Sequence, residues 1–352
     1  MRALFLLVLP LVLTLSCSSN STSGSVTAAP TPSSEVTTWA GQPGAAATTD
    51  GLGTAARFIF PQRLAITPTG TLYVGAAGSL RKVDPSGQVS TLQTQATNQF
   101  QPYGLFSMAA DAKGNLYAAD PFRHVIRCLA QDGSVRIVAG VEDTPGYQDG
   151  SGPGALFSAP LGLAVDSIGR IFVADSGNHA IRLIDSSGQV STFAGTDTDL
   201  PEDHDGVGGS AGFYDPSVLA LDGSGNLYVL ETQAALLRKV SPSGVVTTLA
   251  GQSLASGSVD GAGSAARFNL PQGLAVDAQG NILVADTGNQ TLRWVSPEGL
   301  VTTLAGFPHV AGSADGQQQN ARFYQPSGLA STSTGFVLAD SGNDTLRTVA
   351  LK

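Results

Sequence analysis

The chain repeats one sequence unit six times, and this repetition constrains its fold more than any other feature. The segment VADSGNHAIRLIDSSGQVSTFAG at 173–195 returns in altered form as VADTGNQTLRWVSPEGLVTTLAG at 284–306 and, in part, as LADSGNDTLRTV at 338–349. An acidic residue recurs roughly every 55 residues in most copies, and an arginine follows it within the next strand-like run. The acidic positions are Asp120, Asp175, Glu231, Asp286 and Asp340, and Ala76 stands at this position in the first copy. Such a fixed period is the signature of a repeat architecture.

Each copy contains four short runs that are rich in β-branched residues and bounded by turn residues. In the fifth copy they are GLAVD (273–277), NILVAD (281–286), TLRWVS (291–296) and LVTTLAG (300–306). Runs of this kind predict antiparallel β-strands. Six units of four strands predict an all-β fold, a six-bladed β-propeller, in which each blade covers the faces of its neighbours.

The sixth copy ends after its third run, and the missing fourth run stands near the start of the chain. The phrase VTTLAG of the later copies appears as VTTWAG at 36–41, before the first copy begins. Without it, the last blade would expose an unpaired strand edge. We therefore predict that the N-terminal strand 36–41 completes the last blade and closes the ring.

The motifs of these copies resemble those of the NHL-repeat β-propeller family. The resemblance rests on PLGLAVD at 160–166, on VADSGNH at 173–179 with the namesake Asn178 and His179, and on the Ile-Arg pair that follows. It extends over residues 36–352 and implies the propeller fold. It does not fix a function, because such folds carry enzymes, sensors and binding modules.

The N-terminus predicts an exported lipoprotein. Arg2 precedes an apolar stretch at 3–15 that is too short to span a membrane. The stretch ends at Cys17 in a sequence that resembles a bacterial lipobox, so we predict a signal peptide at 1–16 and lipidation of Cys17. Residues 17–35 are mostly Ser, Thr, Pro and Ala and predict a disordered tether. The resemblance implies a lipid-anchored protein of the outer membrane or cell surface.

Composition narrows the classes of partner. The formal net charge is −9 and no basic stripe is present, which argues against a nucleic-acid partner. We expect a monomer that contacts the membrane only through its lipid anchor and binds a protein or a glycan. With Cys17 acylated, Cys128 has no disulfide partner, and its apolar surroundings predict a small buried side chain.

Residues that recur in every blade are expected to hold the blade together. The acidic residue and the Arg seven positions later predict an ion pair across the hairpin of strands two and three. Asp-Gly pairs at 50, 149, 205, 260 and 315 predict turns in which the glycine takes a positive φ. The Phe that follows each pair is expected to fill the groove between blades. A ring of cation-binding carboxylates is the alternative for the aspartates.

Residues that break the repeat are the better candidates for function. The loops after strands two and four of each copy are long and share one face, so we expect any binding site there, around the mouth of the central channel. The candidate binding residues are Tyr103, Phe122, His124, Tyr147, His179, Asp203, Asp205 and Tyr214. No catalytic residue, metal ligand or cofactor is predicted. The alternative is a propeller enzyme, a lyase or a lactonase-like hydrolase, with zinc or calcium in the channel.

Overall fold

The six repeats fold into six antiparallel β-sheets that surround a central channel. The computed structural model describes residues 31–92, 107–196 and 203–352. The signal peptide, Cys17 and Tyr103 lie outside these residues. The six-bladed all-β propeller predicted from the repeats is confirmed.

The first strand, β1 (Ser34–Gly41), belongs to the last blade, and the next three blades follow in chain order. Blade one contains β2 (Gly51–Leu52), β3 (Arg63–Ile66), β4 (Leu72–Ala76), β5 (Ser79–Val83) and β6 (Gln88–Thr91). Blade two contains β7 (Ser107–Ala110), β8 (Leu116–Asp120), β9 (Val125–Leu129) and β10 (Val135–Ala139). Blade three contains β11 (Gly150–Ser151), β12 (Pro160–Val165), β13 (Ile171–Asp175), β14 (Ala180–Ile184) and β15 (Gln189–Gly195).

The last three blades repeat the same arrangement. Blade four contains β16 (Gly206–Val207), β17 (Pro216–Leu221), β18 (Leu227–Glu231), β19 (Leu236–Val240) and β20 (Val245–Gly251). Blade five contains β21 (Gly261–Ala262), β22 (Gly273–Val276), β23 (Ile282–Asp286), β24 (Thr291–Val295) and β25 (Leu300–Gly306). Blade six contains β26 (Gly316–Gln317), β27 (Pro326–Thr332), β28 (Gly335–Asp340), β29 (Thr345–Leu351) and β1.

Five of the six sheets have one strand more than the four that the repeats predict. The additional strand has two residues, lies at the outer edge of its sheet and pairs with the fourth strand. A short 3₁₀ helix follows it in each case: Gly53–Ala55, Gly152–Gly154, Gly208–Ser210, Gly263–Ala265 and Gln318–Asn320. Three further 3₁₀ helices follow second strands: Ser176–Asn178, Thr287–Asn289 and Ser341–Asn343. Among the described residues, the sheet of blade two has four strands.

The ring is closed as predicted, by a strand from the beginning of the chain. β1 pairs antiparallel with β29, with Ser34 opposite Leu351 and Gly41 opposite Thr345. The strand begins two residues before the predicted position. Its alternate residues Val36 and Ala40 are fully buried and pack in two different clusters of the core, so the strand contributes side chains as well as backbone pairing.

The hydrophobic core consists of layers between adjacent blades. A fully or almost fully buried phenylalanine lies in each of five layers, as predicted: Phe58, Phe157, Phe213, Phe268 and Phe323. The two faces of the disc differ. The tight-turn face carries the turns after strands one and three, and the long-loop face carries those after strands two and four. Within the described residues, no helix has the length and apolarity needed to cross a membrane.

Candidate functional site

Five of the six blades bury an arginine side chain against a carboxylate from their second strand, and blade one has Ala76 in place of that carboxylate. In blade three, Arg182 Nη1 lies 2.9 Å from Asp175 Oδ2, and both side chains are fully buried. The contact is repeated by Arg127 with Asp120, Arg238 with Glu231, Arg293 with Asp286 and Arg347 with Asp340. The predicted ion pair across the hairpin is therefore confirmed. Because a buried charge without its partner is costly, these pairs hold the second and third strands in register.

The aspartates of the Asp-Gly pairs bind the same arginines from the outer edge of the blade. Asp149 Oδ1 lies 2.6 Å from Arg182 Nη2, and the guanidinium lies over the ring of Phe157 at 5.3 Å. The equivalent aspartates are Asp50, Asp205, Asp260 and Asp315. Each Asp-Gly pair thus fixes the additional outer strand to the arginine of its own blade, and each carboxylate is already paired with a cation.

The glycines of these pairs do not take the left-handed conformation that we predicted for a turn. Three of them do not have a positive φ, and two are close to extended, with φ of 153° and 155° at Gly150 and Gly316. A Cβ at Gly206 would lie 2.4 Å from the carbonyl oxygen of Ser210, so close packing against the following 3₁₀ turn requires glycine there. The left-handed residue comes two positions later, as at Gly208 with φ 55°.

The turn after the second strand joins each blade to the next one. In blade three, Ser176 Oγ donates to the carbonyl oxygen of Pro216 in blade four. His179 takes φ 52°, and its Nδ1–H donates to the carbonyl oxygen of Tyr214, 2.7 Å away. The hydroxyl contact is repeated by Thr232 with Pro271, Thr287 with Pro326 and Ser341 with Pro61. The SGNH motif therefore joins adjacent blades by hydrogen bonds on the long-loop face.

Blade four departs from the other blades at this turn. In blade three the amide of Asn178 donates to Asp175 Oδ2 at 2.7 Å, and blades five and six keep this contact. Blade four has Glu231 in place of the aspartate and Ala234 in place of the asparagine. The side chain of Asp203 lies beside Glu231, where it accepts a hydrogen bond from the protonated Glu231 in place of the bond that the amide donates elsewhere. A carboxyl group in blade four thus takes the place of the amide that blades three, five and six use.

The two carboxyl groups of blade four are held close together in the protein interior. Glu231 Oε1 lies 2.7 Å from Arg238 Nη1, and Oε2 accepts the Tyr214 N–H at 2.5 Å. Asp203 Oδ2 accepts from Ser253, and Asp203 Oδ1 is buried without a donor among the described residues. Burial and the neighbouring Asp203 raise the pKa of Glu231 to about 8. A proton shared between the two carboxyl groups gives each of them a hydrogen bond and avoids two adjacent negative charges.

The corresponding carboxyl groups in other blades are perturbed less. Burial raises the pKa of Asp175 and of Asp340 to about 6, and in each case an asparagine amide and an arginine oppose the increase. Burial is nearly the same at the three positions, so the larger rise at Glu231 accompanies the change of partner and of acid. An amide donor lowers the pKa of the buried carboxyl group, whereas a second carboxyl group raises it.

The structure places the predicted binding residues on one side of the long-loop face but does not bring them all together. His179, Tyr214 and Asp203 are linked through Glu231 at the boundary between blades three and four. Asp205 is bound to its blade arginine and to Thr248. These side chains serve the structure of the blades.

The remaining candidates lie apart from this group. Tyr147 packs on Arg182 and its hydroxyl bonds to Thr192. In blade two, His124 Nδ1 accepts the N–H of Ala159, so it joins blades two and three, while Phe122 has 69% of its surface exposed. Phe122 is therefore the candidate with the most accessible side chain. Tyr103 lies outside the described residues.

A pocket that the sequence did not indicate opens on the long-loop face where blades five, six and one meet. Its volume is about 260 Å³, and it is lined by Phe60, Gln62, Leu270, Gln272, Thr287, Gly288, Gln290, Gln325, Ser327 and Ser341. None of these residues carries a charge. The repeat pattern contained one signal: the residue after the blade proline varies among Gln, Tyr, Leu and Ser, and it is Gln at 62 and 272.

Several polar groups of this pocket are free to bind a ligand. Gln290 Oε1 accepts the backbone N–H of Gln325 at 2.7 Å, which fixes its amide in one orientation. Within the described residues, the side-chain amides of Gln62, Gln272 and Gln325 make no hydrogen bond to protein. The apolar residues Phe60 and Leu270 stand beside them with φ of 48° and 46°. Ala159 and Gln325 have the same conformation before their own blade prolines, so this left-handed residue belongs to the connection that opens a blade.

A second, larger cavity opens on the other side of the disc, on the tight-turn face. Its volume is about 930 Å³, and turns from all six blades line it. A narrower space of about 170 Å³ lies within the channel and is lined by first-strand residues such as Arg63, Met108 and Leu274. Burial lowers the pKa of Arg63 to about 10. In the described part of the chain, no group of three His, Cys, Asp or Glu side chains is arranged to hold a metal ion.

Comparison with protein-family models finds NHL-type sequences in both halves of the chain. The model for the teneurin NHL domain matches residues 44–203, and the model for the NHL repeat matches residues 268–295. Teneurin-m of Drosophila melanogaster is 25% identical over 295 residues, which cover 73% of this chain. The chain matches only 10% of the length of that protein.

Solved structures with the same fold include binding proteins and enzymes. An auxiliary nutrient binding protein from Bacteroides thetaiotaomicron superposes with a TM-score of 0.70 at 16% identity, covering 90% of this chain and 76% of that protein. A virginiamycin B lyase from Staphylococcus aureus superposes with a TM-score of 0.54 at 14% identity, covering 91% of this chain and all of the lyase chain (100%). At these identities the similarity shows the fold alone. Repeat motifs, family models and blade architecture agree, and the chain belongs to the NHL-repeat β-propeller family.

Proposed function

We propose that this propeller is a non-enzymatic binding protein whose long-loop face binds a neutral glycan. The observation that carries the proposal is the pocket between blades five, six and one. It combines uncommitted amide groups with apolar side chains and contains no charged residue. Such a lining suits a ligand that has many hydroxyl groups and no charge, because each amide offers both donors and an acceptor.

Two further features support this proposal. The pocket is smaller than a drug-sized site, so it fits one or two sugar rings rather than a folded partner. The structural relative from Bacteroides is described as an auxiliary nutrient binding protein, which is a binding role on the same fold. The exposed Phe122 and the loop residues of blades two to four lie on the same face and would contact a longer glycan or a partner protein.

We also propose that the protein is exported and held at the outer membrane or cell surface by a lipid on Cys17. This proposal rests on the sequence of residues 1–16 and on the composition of residues 17–35. Its test is fractionation and intact-mass measurement of the protein and of Cys17→Ser. Lipidation predicts a membrane-associated form that carries the added acyl mass, and the variant should lose both.

Binding is tested with a panel of neutral oligosaccharides, charged oligosaccharides and short peptides, measured by calorimetry. We expect saturable binding of at least one neutral glycan and a loss of about tenfold in affinity for Gln272→Ala, which removes one pair of hydrogen-bonding groups. Ser333→Ala on the tight-turn face is the matched control and should bind normally. If neutral glycans do not bind, or bind the Gln272→Ala protein equally well, the assignment of this pocket is wrong.

The alternative function is a metal-dependent enzyme with its site in the channel. The superposition with a lyase concerns the fold and carries no residue assignment to this chain. Metal analysis of the purified protein separates the two functions. One tightly bound Zn²⁺ or Ca²⁺ per chain would favour the enzyme and would refute the proposed binding role.

A further inference from the structure

The tight-turn face contains a cavity more than three times larger than the proposed glycan pocket. We infer that this cavity binds a cationic amphiphile, with its apolar part inside the cavity and its positively charged head at the channel mouth. The inference is independent of the proposed glycan site, which lies on the opposite face. It rests on the shape of the cavity, on its apolar walls and on the charges at its rim.

The inner part of the cavity is an apolar ring at the end of the central channel. The last residues of the first strands form it, and five of the six are apolar: Ile66, Ala110, Val165, Leu221 and Val276. Their positions repeat by the symmetry of the blades, so the ring surrounds the axis. An apolar group that enters this ring loses its contact with water on every side, and this burial of apolar surface favours binding.

Between blades six and one, core residues form the wall of the cavity. Leu72, Phe336, Val337 and Val349 border it and are at most 5% exposed, and Trp39 of the closing strand lies at its edge. The wall that an alkyl or aromatic tail would meet here is therefore apolar. Phe336 also packs edge-to-face against Trp294, with ring centroids 6.4 Å apart, so this wall is rigid.

The rim of the cavity is acidic. Asp111, Asp166 and Asp277 line it, and none of its lining residues among those described is Lys, Arg or His. Asp166 is paired with Arg170, but no ion pair in the described ranges involves Asp111 or Asp277. These two come from blades two and five, on opposite sides of the mouth. A single cationic head at the axis is attracted by both, whereas an anionic head is repelled.

The position of the N-terminus makes an amphiphile the appropriate occupant. Ser34 lies at the tight-turn end of β1, and Ser33 bonds to Lys352 beside cavity residue Ala350. The chain therefore leaves the ring at the edge of this cavity. If Cys17 carries the proposed lipid, the cavity lies within the reach of the 17–35 segment from the membrane, where amphiphiles are concentrated. The binding measurement below uses soluble probes and does not depend on the anchor.

The test is a titration of the mature protein with dodecyltrimethylammonium, dodecyl sulfate and dodecyl maltoside below their micellar concentrations. Tryptophan fluorescence and calorimetry are the readouts, because Trp39 lines the cavity. We expect one saturable site for the cationic probe, weaker binding of the neutral probe and the weakest binding of the anionic probe. Ala278→Trp, at an exposed turn position on the rim, should abolish binding by filling the mouth.

The charge variants make the test specific. The double variant Asp111→Asn, Asp277→Asn keeps the turn hydrogen bonds of both residues. It should lower the affinity for the cationic probe about tenfold and leave the affinity for the neutral probe unchanged. Asp185→Asn is the matched control, since Asp185 accepts the same turn bonds on the same face but does not line the cavity. Equal binding of cationic and anionic probes, or an unchanged affinity in the double variant, would overturn the inference.

Discussion

The carboxyl pair of blade four predicts a specific dependence of stability on pH. The pKa of Glu231 is raised to about 8 from a usual value of 4.5, so the folded protein holds a proton that the unfolded chain releases. The stabilisation is fully present below about pH 4.5 and is lost as the pH rises through 8. Replacing Asp203 by Asn supplies the amide that blades three, five and six use at this place.

The magnitude follows from the other blades of the same molecule. Asp175 and Asp340, each with an asparagine amide, have a pKa raised from 3.8 to about 6, whereas the pKa of Glu231 is raised from 4.5 to about 8. The rise is about 1.3 larger in blade four, which corresponds to roughly 2 kcal/mol at 1.36 kcal/mol per pKa unit. We expect the Asp203→Asn protein to match the parent below pH 6 and to be more stable by up to about 2 kcal/mol at pH 8.5. For a chain of this length, that is roughly 3 °C in Tm.

The assay is a series of urea and thermal unfolding curves between pH 5 and pH 9 at constant ionic strength. Asp143→Asn is the control, because it removes the same charge from an exposed ion pair on the same face. A second route to the same chemistry is Glu231→Asp combined with Ala234→Asn, which restores the residues of the other blades. The reasoning is refuted if the parent and Asp203→Asn curves stay parallel from pH 6 to pH 8.5.

Three other substitutions test the packing of the ring by the same unfolding measurements. Val36→Asp puts an unpaired charge in the closing strand and should lower the free energy of unfolding by at least about 3–5 kcal/mol. Thr37→Asp on the exposed side of the same strand should lower it by less than about 1 kcal/mol. Equal losses would show that the strand is not buried. Phe268→Ala should cost about 3–5 kcal/mol, because the ring fills the layer between blades and supports a buried guanidinium; a loss below 1 kcal/mol would contradict this packing. Gly177→Ala should destabilise by more than about 1 kcal/mol, since its Cβ would lie 2.5 Å from Ser158 Oγ, while Gly209→Ala meets no atom within 4 Å and serves as the control.

The repeats made the architecture predictable because each repeated residue has the same role in every blade. The pairs formed by the acidic residue and arginine, the buried phenylalanines and the closing strand all follow from comparing six copies of one unit. The conformation of the Asp-Gly pairs was not predictable in this way. An Asp-Gly sequence is typical of a turn, but here the carboxylate is bound to a buried guanidinium. The glycine is needed for close packing against the following 3₁₀ turn.

The two pockets could not be predicted, and for different reasons. The glutamine-lined pocket combines residues from three blades that are far apart in sequence, and only the residues after Pro61 and Pro271 gave a signal. The cavity on the tight-turn face is lined by residues that recur in the blades. From sequence alone, a recurring residue indicates packing, and only the geometry of the channel mouth shows that these residues border a cavity. Long loops favoured the other face as the place of binding. That argument concerns sequence variability, whereas the volume of a cavity depends on how the strands end around the axis.

Comparison among the blades also shows where one contact has been exchanged for another. Glu231 and Ala234 depart from the pattern together, and the two changes make sense only as a pair. The longer acid and the missing amide bring in Asp203 from the loop before blade four. A drifting surface position would change alone, because nothing couples it to a neighbour. The paired change therefore separates a selected contact from surface drift within a single chain. Blade two shows another coupled change, the Pro121-Phe122-Arg123 sequence in place of Ser-Gly-Asn. There the inter-blade hydroxyl is absent, and an exposed phenylalanine stands on the long-loop face where blades three, five and six need a glycine.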